Sequence, residues 1–272
     1  MVKKLPQYQK EITAYSVHLQ LIEDCMKQYQ GKLDKICIVE QNLVMGTDSE
    51  GEKIKDHMKH IVTILLDNTV SIDDKLRVII LYILHKNGIT EENLKKLLSH
   101  AMIPPERQDV VLRLQLLNLQ IIQDARWNSR KKNIPSIRMD RNEAVYQTSR
   151  WTPYIKDLME ATIEDKLDSR AFPSLGHRNP RIESVRGGQE YGGWTRGRSH
   201  SMIKSGPRLI VFILGGLTYP EMRCAYEVTA SSSAQTNVPA NRKWEVIIGS
   251  DHIITPKMFL DELKMDTEYA NL

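Results

Sequence analysis

The sequence predicts a mixed α and α/β protein: a long helix and a helical bundle, followed by a partial parallel α/β sheet. Three observations carry this expectation. Apolar residues near the start recur at alternating steps of three and four, the spacing of a helix seam. From Asp56 to Asn118, short amphipathic stretches are separated by cap and breaker residues. From Leu209 onward the pattern switches to short β-favouring runs that alternate with helix signals.

The first helix is expected over Leu5 to Met45. Its seam is Ile12, Tyr15, Leu19, Ile22, Met26, Tyr29, Leu33, Ile36 and Leu43, with Glu40 the one position that breaks the pattern. Pro6 suits a first turn, or a kink if helix continues upstream, because it lacks an N–H and fixes φ. Gly31 is a weak point inside the helix, and Gly46 stops it. A helix of this length measures about 60 Å. An ordinary domain cannot bury all of it, so part of it stands clear or meets a partner. The seam reads either as a core stripe or as a docking surface for another helix.

The bundle follows. Asp56 to Leu66 is amphipathic. Ser71, with Asp74 three residues on, caps a helix from Ile72 to Lys86 that Gly88 ends. Thr90 caps Glu91 to His100, and the two leading glutamates complement the helix dipole. Pro104-Pro105 opens another helix, to Asn118. Short connections between such helices are the mark of a bundle.

Arg126 to Asn142 is a basic linker with a net charge of +5, six Arg or Lys against Asp140. A helix then runs from Pro153, with Thr152 as N-cap, to about Leu167. Residues 168–206 are glycine-rich, basic and polar, and read as a flexible insert. Leu209 to Leu214 is a continuous apolar run, which suits a strand buried on both faces of a parallel sheet. Gly215-Gly216 turns, a helix runs to about Val228, and Ser231 to Asn241 reads as a polar loop. Trp244 to Ile248 is the second strand and Pro256 to Lys264 the last helix. Two strands make no stable covered sheet by themselves, so further strands are expected from upstream sequence or another subunit.

Composition excludes several classes. The 272 residues are 41% hydrophobic and 26% charged, as in a soluble globular protein, and the net charge of +4 is too small to imply a polyanionic partner for the whole chain. Cys25, Cys37 and Cys224 form no CxxC pair and no disulfide framework is expected. The longest apolar runs fall short of the ~18 residues of a membrane span, and no signal peptide is evident, so the expected location is cytosolic.

Chemistry-bearing candidates are sparse. His57 and His60 stand at i, i+3 but lack a third ligand, and read as surface histidines. Gly215-Gly216 follows a strand, where phosphates often bind, yet no GxGxxG or GxxxxGK[ST] is present, so a tight turn is expected. No GxSxG and no nucleophile–base pairing occurs. No catalytic, metal or cofactor-binding residue is assigned. Arg186 to Arg198 interleaves arginines with Tyr191 and Trp194, and together with the basic linker gives an alternative reading as an RNA-binding protein.

Several blocks carry a family resemblance. They include Leu5-Pro-Gln-Tyr-Gln-Lys-Glu, Met45-Gly-Thr-Asp, Lys86-Asn-Gly-Ile-Thr-Glu-Glu-Asn93, Ser149-Arg-Trp-Thr-Pro153, Glu221-Met-Arg-Cys-Ala-Tyr-Glu-Val and Lys243-Trp-Glu-Val-Ile-Ile-Gly-Ser250. In family order and nearly end to end, they resemble the C-terminal half of the neuronal-type syntaxin-binding proteins of the Sec/Munc (SM) family. The resemblance implies the C-terminal portion of a Sec1-like fold. Residues 1–31 would be the end of the domain 3a helical hairpin, 32–150 the helical domain 3b with the basic linker, and 151–272 the C-terminal part of α/β domain 2 with its insert. The first hairpin arm and the domain that supplies most syntaxin contacts have no counterpart here, so a fragment or truncated isoform is expected.

The resemblance further implies a non-enzymatic regulator of vesicle docking and fusion in exocytosis. Its partners would be syntaxin and vesicle SNARE helices, with no cofactor, no small-molecule substrate and no nucleic acid. It would be cytoplasmic and peripheral at the plasma membrane and vesicle docking sites. Pro6 matches the family's hinge proline. Leu19 matches a leucine of the vesicle-SNARE surface, and with Ile12, Tyr15 and Ile22 it lies on the seam found from periodicity.

Overall fold

The computed structural model of the protein describes residues 5–123, 146–175, 206–234, 239 and 242–264. The basic linker, the Arg186–Arg198 stretch and most of the glycine-rich insert lie outside these residues. The described residues divide into two units: 5–123, 146–151 and 255–264 form one, and those within 152–254 form the other.

The first unit is helical. Its elements are α1 (Leu5–Gln28), α2 (Asp34–Met45), α3 (Met58–Leu66), α4 (Ile72–His85), α5 (Glu91–His100), α6 (Pro105–Arg113), a 3-10 turn (Leu114–Leu117) and α9 (Pro256–Glu262). In this unit the caps stand where the residue types place them, whereas the helix expected to have Thr152 as N-cap starts one residue later, with Pro153 at its N-cap position and no side-chain cap. The Ser71 hydroxyl accepts from Asp74 N at 3.2 Å and the Thr90 hydroxyl from Asn93 N at 3.3 Å. The Thr255 hydroxyl accepts from Met258 N at 3.3 Å. Each satisfies an N–H that the first helical turn leaves without a partner.

The core of this unit gathers Ile36 and Leu43 of α2, Ile61 and Leu65 of α3, and Leu76, Ile79 and Ile83 of α4, all fully buried. Burial of each such side chain contributes about 1.5–3 kcal/mol. Residues 146–151 are tied to α2. The Gln41 side-chain oxygen accepts from Arg150 N at 2.7 Å and Trp151 N at 2.8 Å. The Arg150 guanidinium donates to Asn42 Oδ1 and to the Thr47 carbonyl.

The expected single helix over 5–45 is broken. Gln30 (φ −65°, ψ 136°) and Gly31 (φ 85°, ψ −20°) leave the helical region between α1 and α2. Gly31 is the residue of this stretch for which a left-handed backbone costs least, and the break falls where the exposed seam ends and the buried seam begins. A second difference concerns the last helix. Leu260 of α9 is buried in the helical core, and Arg113 donates to the carbonyls of Leu263 at 3.1 Å and Lys264 at 2.7 Å, which satisfies the C-terminal end of α9. The last helix therefore belongs to the helical unit and not to the sheet.

The second unit holds α7 (Tyr154–Ile163), β1 (Arg208–Ile213), α8 (Tyr219–Ala234) and β2 (Glu245–Ser250). The strands pair in parallel, Arg208 opposite Glu245 through Ile213 opposite Ser250. Met159 of α7 and Cys224, Ala225 and Val228 of α8 pack with Leu209, Val211, Val246 and Ile248 on one face. The opposite face, with Ile210, Phe212 and Ile247, is exposed. The expected strand buried on both faces is thus half-covered, because α7 and α8 lie on the same side. Lys156 is buried, and its ammonium meets the Glu227 carboxylate at 2.8 Å, linking α7 to α8.

Helix α8 is also longer than expected. Ser231 to Ala234, read as loop, are its last turn. Thr229 Oγ1 and Ser232 Oγ accept from the backbone N–H groups of Val246 and Trp244, at 2.9 and 2.7 Å. These contacts outweigh the weak helix propensity of serine.

Candidate helix-docking surface

The sequence-predicted residues all sit on α1. Every described side chain from Pro6 to Gln28 is exposed. Ile12, Tyr15, Leu19 and Ile22 are between 58% and 67% exposed, against 0–1% for Ile36 and Leu43 farther along the same seam. One heptad pattern therefore serves two purposes, core packing in α2 and an open ridge in α1. Pro6 stands in the first turn of α1, exposed, where a missing N–H costs nothing.

The ridge is longer than the residues singled out from sequence. Tyr8, four positions before Ile12, continues the spacing and is 56% exposed. A second apolar pair, Val17 and Leu21, is exposed away from the seam; its i, i+4 spacing was the available signal.

Several polar groups of α1 are satisfied within the helix. The Thr13 hydroxyl donates to the Gln9 carbonyl and the Ser16 hydroxyl to the Ile12 carbonyl, both at 2.9 Å. Asp24 and Lys27 pair at 3.4 Å, exposed on both sides, an arrangement that contributes little. No charged side chain occupies the ridge from Tyr8 to Met26. Such a surface can receive the apolar stripe of another helix and has no groups placed for bond-making chemistry.

The other chemical candidates resolve into structure. His57 is buried and not on the surface, its ring 4.4 Å from that of His85 in an edge-on arrangement. Burial pushes the His57 imidazole pKa below its ordinary value, and the neighbouring His85, Lys86 and His60 push the same way. Gly215 and Gly216 form the expected turn. Their N–H groups, which could have held a phosphate, donate to Asp251 Oδ1 at 3.0 and 3.2 Å. A Cβ on Gly216 would lie 2.9 Å from the Ile254 side chain, so the position is closed to other residues. Hydrogen bonds from Ser250, His252 and Gly215 hold the Asp251 carboxyl far below the usual carboxylate range. Among the described residues no group of three or more His, Cys, Asp or Glu could hold a metal ion, and no helix is long and apolar enough to cross a membrane.

Comparison with known proteins places this arrangement. A sequence model of the Sec1 family matches residues 1–262. The protein transport protein sec1 of Schizosaccharomyces pombe is 27% identical over 96% of this chain and 37% of its own length. Its namesake in Dictyostelium discoideum is 27% identical over 97% of this chain and 44% of its own. The chain thus spans less than half the length of these relatives. Among solved structures, the Unc18–syntaxin 1 complex from Monosiga brevicollis superposes with a TM-score of 0.72 at 30% identity, over 97% of this chain and 41% of that one. The SM protein Vps45 in complex with the Qa SNARE Tlg2 gives a TM-score of 0.62 at 16% identity, over 97% of this chain and 42% of that one, a likeness of fold. With the family match running through both units, the chain belongs to the Sec1 family.

Proposed function

We propose that this chain is a non-enzymatic binding protein for SNARE helices that regulates vesicle docking and fusion, with the α1 ridge as its docking surface. The observation that carries this reading is the uninterrupted apolar ridge from Tyr8 to Met26 on a helix whose described side chains are all exposed. An open stripe of this length normally has a partner. The names of the similar structures support the choice of partner, since they are complexes with syntaxin 1 and with a Qa SNARE. In this reading Leu19, Tyr15, Ile12 and Ile22 receive the apolar face of a vesicle SNARE helix, and Pro6 sets the entry of the chain into α1. Membrane association comes through these partners at the plasma membrane and vesicle docking sites.

The test is a titration of the purified chain with a fluorescently labelled vesicle SNARE helix, at low and high salt. Apolar docking predicts saturable binding that salt changes little and that Leu19→Arg weakens. Binding that high salt abolishes, or that Leu19→Arg leaves unchanged, overturns the reading and favours a polyanion-type interaction.

A further inference from the structure

The ridge of α1 fits a second copy of itself. With two α1 helices antiparallel about a two-fold axis at Val17, each ridge residue meets another: Tyr8 with Met26, Ile12 with Ile22, and Tyr15 with Leu19. Each tyrosine then faces a slimmer aliphatic chain. A parallel pair would set Tyr8 on Tyr8 and Tyr15 on Tyr15, crowding the phenol groups. The flanking positions set no like charges against each other in the antiparallel register. Glu11 and Glu23 lie across from Cys25 and Gln9 of the second copy, while Ser16 and His18 lie across from their own counterparts. The helical core begins at Leu33 and Ile36, beyond one end of α1. Antiparallel pairing aligns residue 5 of one copy with residue 29 of the other, so the two cores stand at opposite ends of the helix pair. A parallel pair would bring them side by side. The ridge side chains are 42–67% exposed. Covering them buries roughly 1,400 Å² over the two copies, within the range of specific interfaces.

We propose that the α1 ridge pairs antiparallel with the same ridge of a second copy of this chain, and that this dimer hides the ridge from other helices. Below the dissociation constant of the dimer the ridge is open; above it, a second copy and a SNARE helix compete for one surface. Self-association is then an autoinhibitory contact set by local concentration. The dimer is read from the ridge and its flanks; the competition rests on the docking function proposed above.

Sedimentation equilibrium of the full chain over a range of micromolar concentrations tests it. The expected result is a concentration-dependent rise to twice the chain mass, which Leu19→Arg abolishes and excess vesicle SNARE helix reverses. His18 reports the register. In the antiparallel pair residue 18 faces residue 18, so His18→Glu and His18→Lys each weaken the dimer, by roughly threefold to tenfold. An equal mixture of the two variants regains the affinity of the parent, which also shows that both are folded. In a parallel pair residue 18 faces Glu23, so His18→Lys would tighten the dimer. That tightening overturns the antiparallel register. A chain that stays monomeric at every concentration overturns the dimer, whether or not the peptide binds. A dimer that survives Leu19→Arg overturns the ridge as its interface. Peptide binding that leaves the dimer intact overturns the competition. A dimer with the expected His18 behaviour and no peptide binding at any concentration keeps the dimer and overturns the docking function.

Discussion

Arg77 of α4 donates to Glu40 of α2 across 2.6 Å, at the one seam position where the heptad lacks an apolar side chain. Arg77 also meets Asp74 at 2.9 Å, so one guanidinium joins the start of α4 to the middle of α2. Burial pushes the Glu40 carboxyl above its ordinary range, and Arg77 pulls it back. The break in the pattern is thus an ion pair built into the α2–α4 contact. A partly buried pair is sensitive to loss of one partner and tolerant of loss of both. Glu40→Leu alone is expected to cost about 2 kcal/mol, because it leaves Arg77 with Asp74 only. Glu40→Leu with Arg77→Met is expected to fall within about 1 kcal/mol of the parent chain. Urea unfolding of the four proteins of this cycle measures both.

The buried His57 makes stability depend on pH. Its folded pKa lies below 6.5, so the unfolded chain binds the proton more readily. The stabilisation is fully present above pH 6.5 and is lost as pH falls from there through the folded value. Glu40, with a raised pKa, works in the opposite direction on acidification. The comparison is therefore between the parent chain and His57→Phe, which keeps an aromatic ring against His85. The difference in urea midpoint between pH 7.5 and pH 5.5 should be smaller in the variant; an equal difference would remove His57 from the account.

The caps of α4 and α5 give a third expectation. Ser71→Ala and Thr90→Ala each remove the side-chain oxygen that accepts from an N–H of the first turn. Each should cost about 1 kcal/mol. The two sites lie on different helices with no shared hydrogen-bond partner, so the double variant should cost about the sum.

Leu19→Arg separates folding from docking. Leu19 is 60% exposed, and its replacement should leave the unfolding midpoint within about 0.5 kcal/mol of the parent. A central ridge position should nonetheless cost a docked helix about 2 kcal/mol or more. Circular dichroism melts paired with the binding titration show whether the two effects part.

What could be read from sequence was local. Ser71, Thr90 and Thr255 announce their helices because a hydroxyl at an N-cap acts within three residues. The two strands and their parallel pairing follow from apolar runs separated by a helix signal. What escaped was set by tertiary contact. The heptad is silent about which half of the seam is buried, and Gly31 reads as a weak helical residue until its backbone is seen. The serines of α8 look like a loop because the groups that fix them, Trp244 and Lys243, come from ten or more positions downstream. The burial of His57 depends on His85 of another helix. The exposed row of Ile12, Tyr15, Leu19 and Ile22 on α1 was legible because an apolar ridge is written in the same periodicity as the helix that carries it.

The most direct measurement of the central claim is hydrogen–deuterium exchange of the chain with and without excess vesicle SNARE helix. If α1 is the docking surface, amides between Tyr8 and Met26 exchange quickly in the free chain and become protected when the helix is added, while those of β1 and β2 are unchanged. Protection that appears in the sheet or the bundle and leaves α1 unchanged would contradict it.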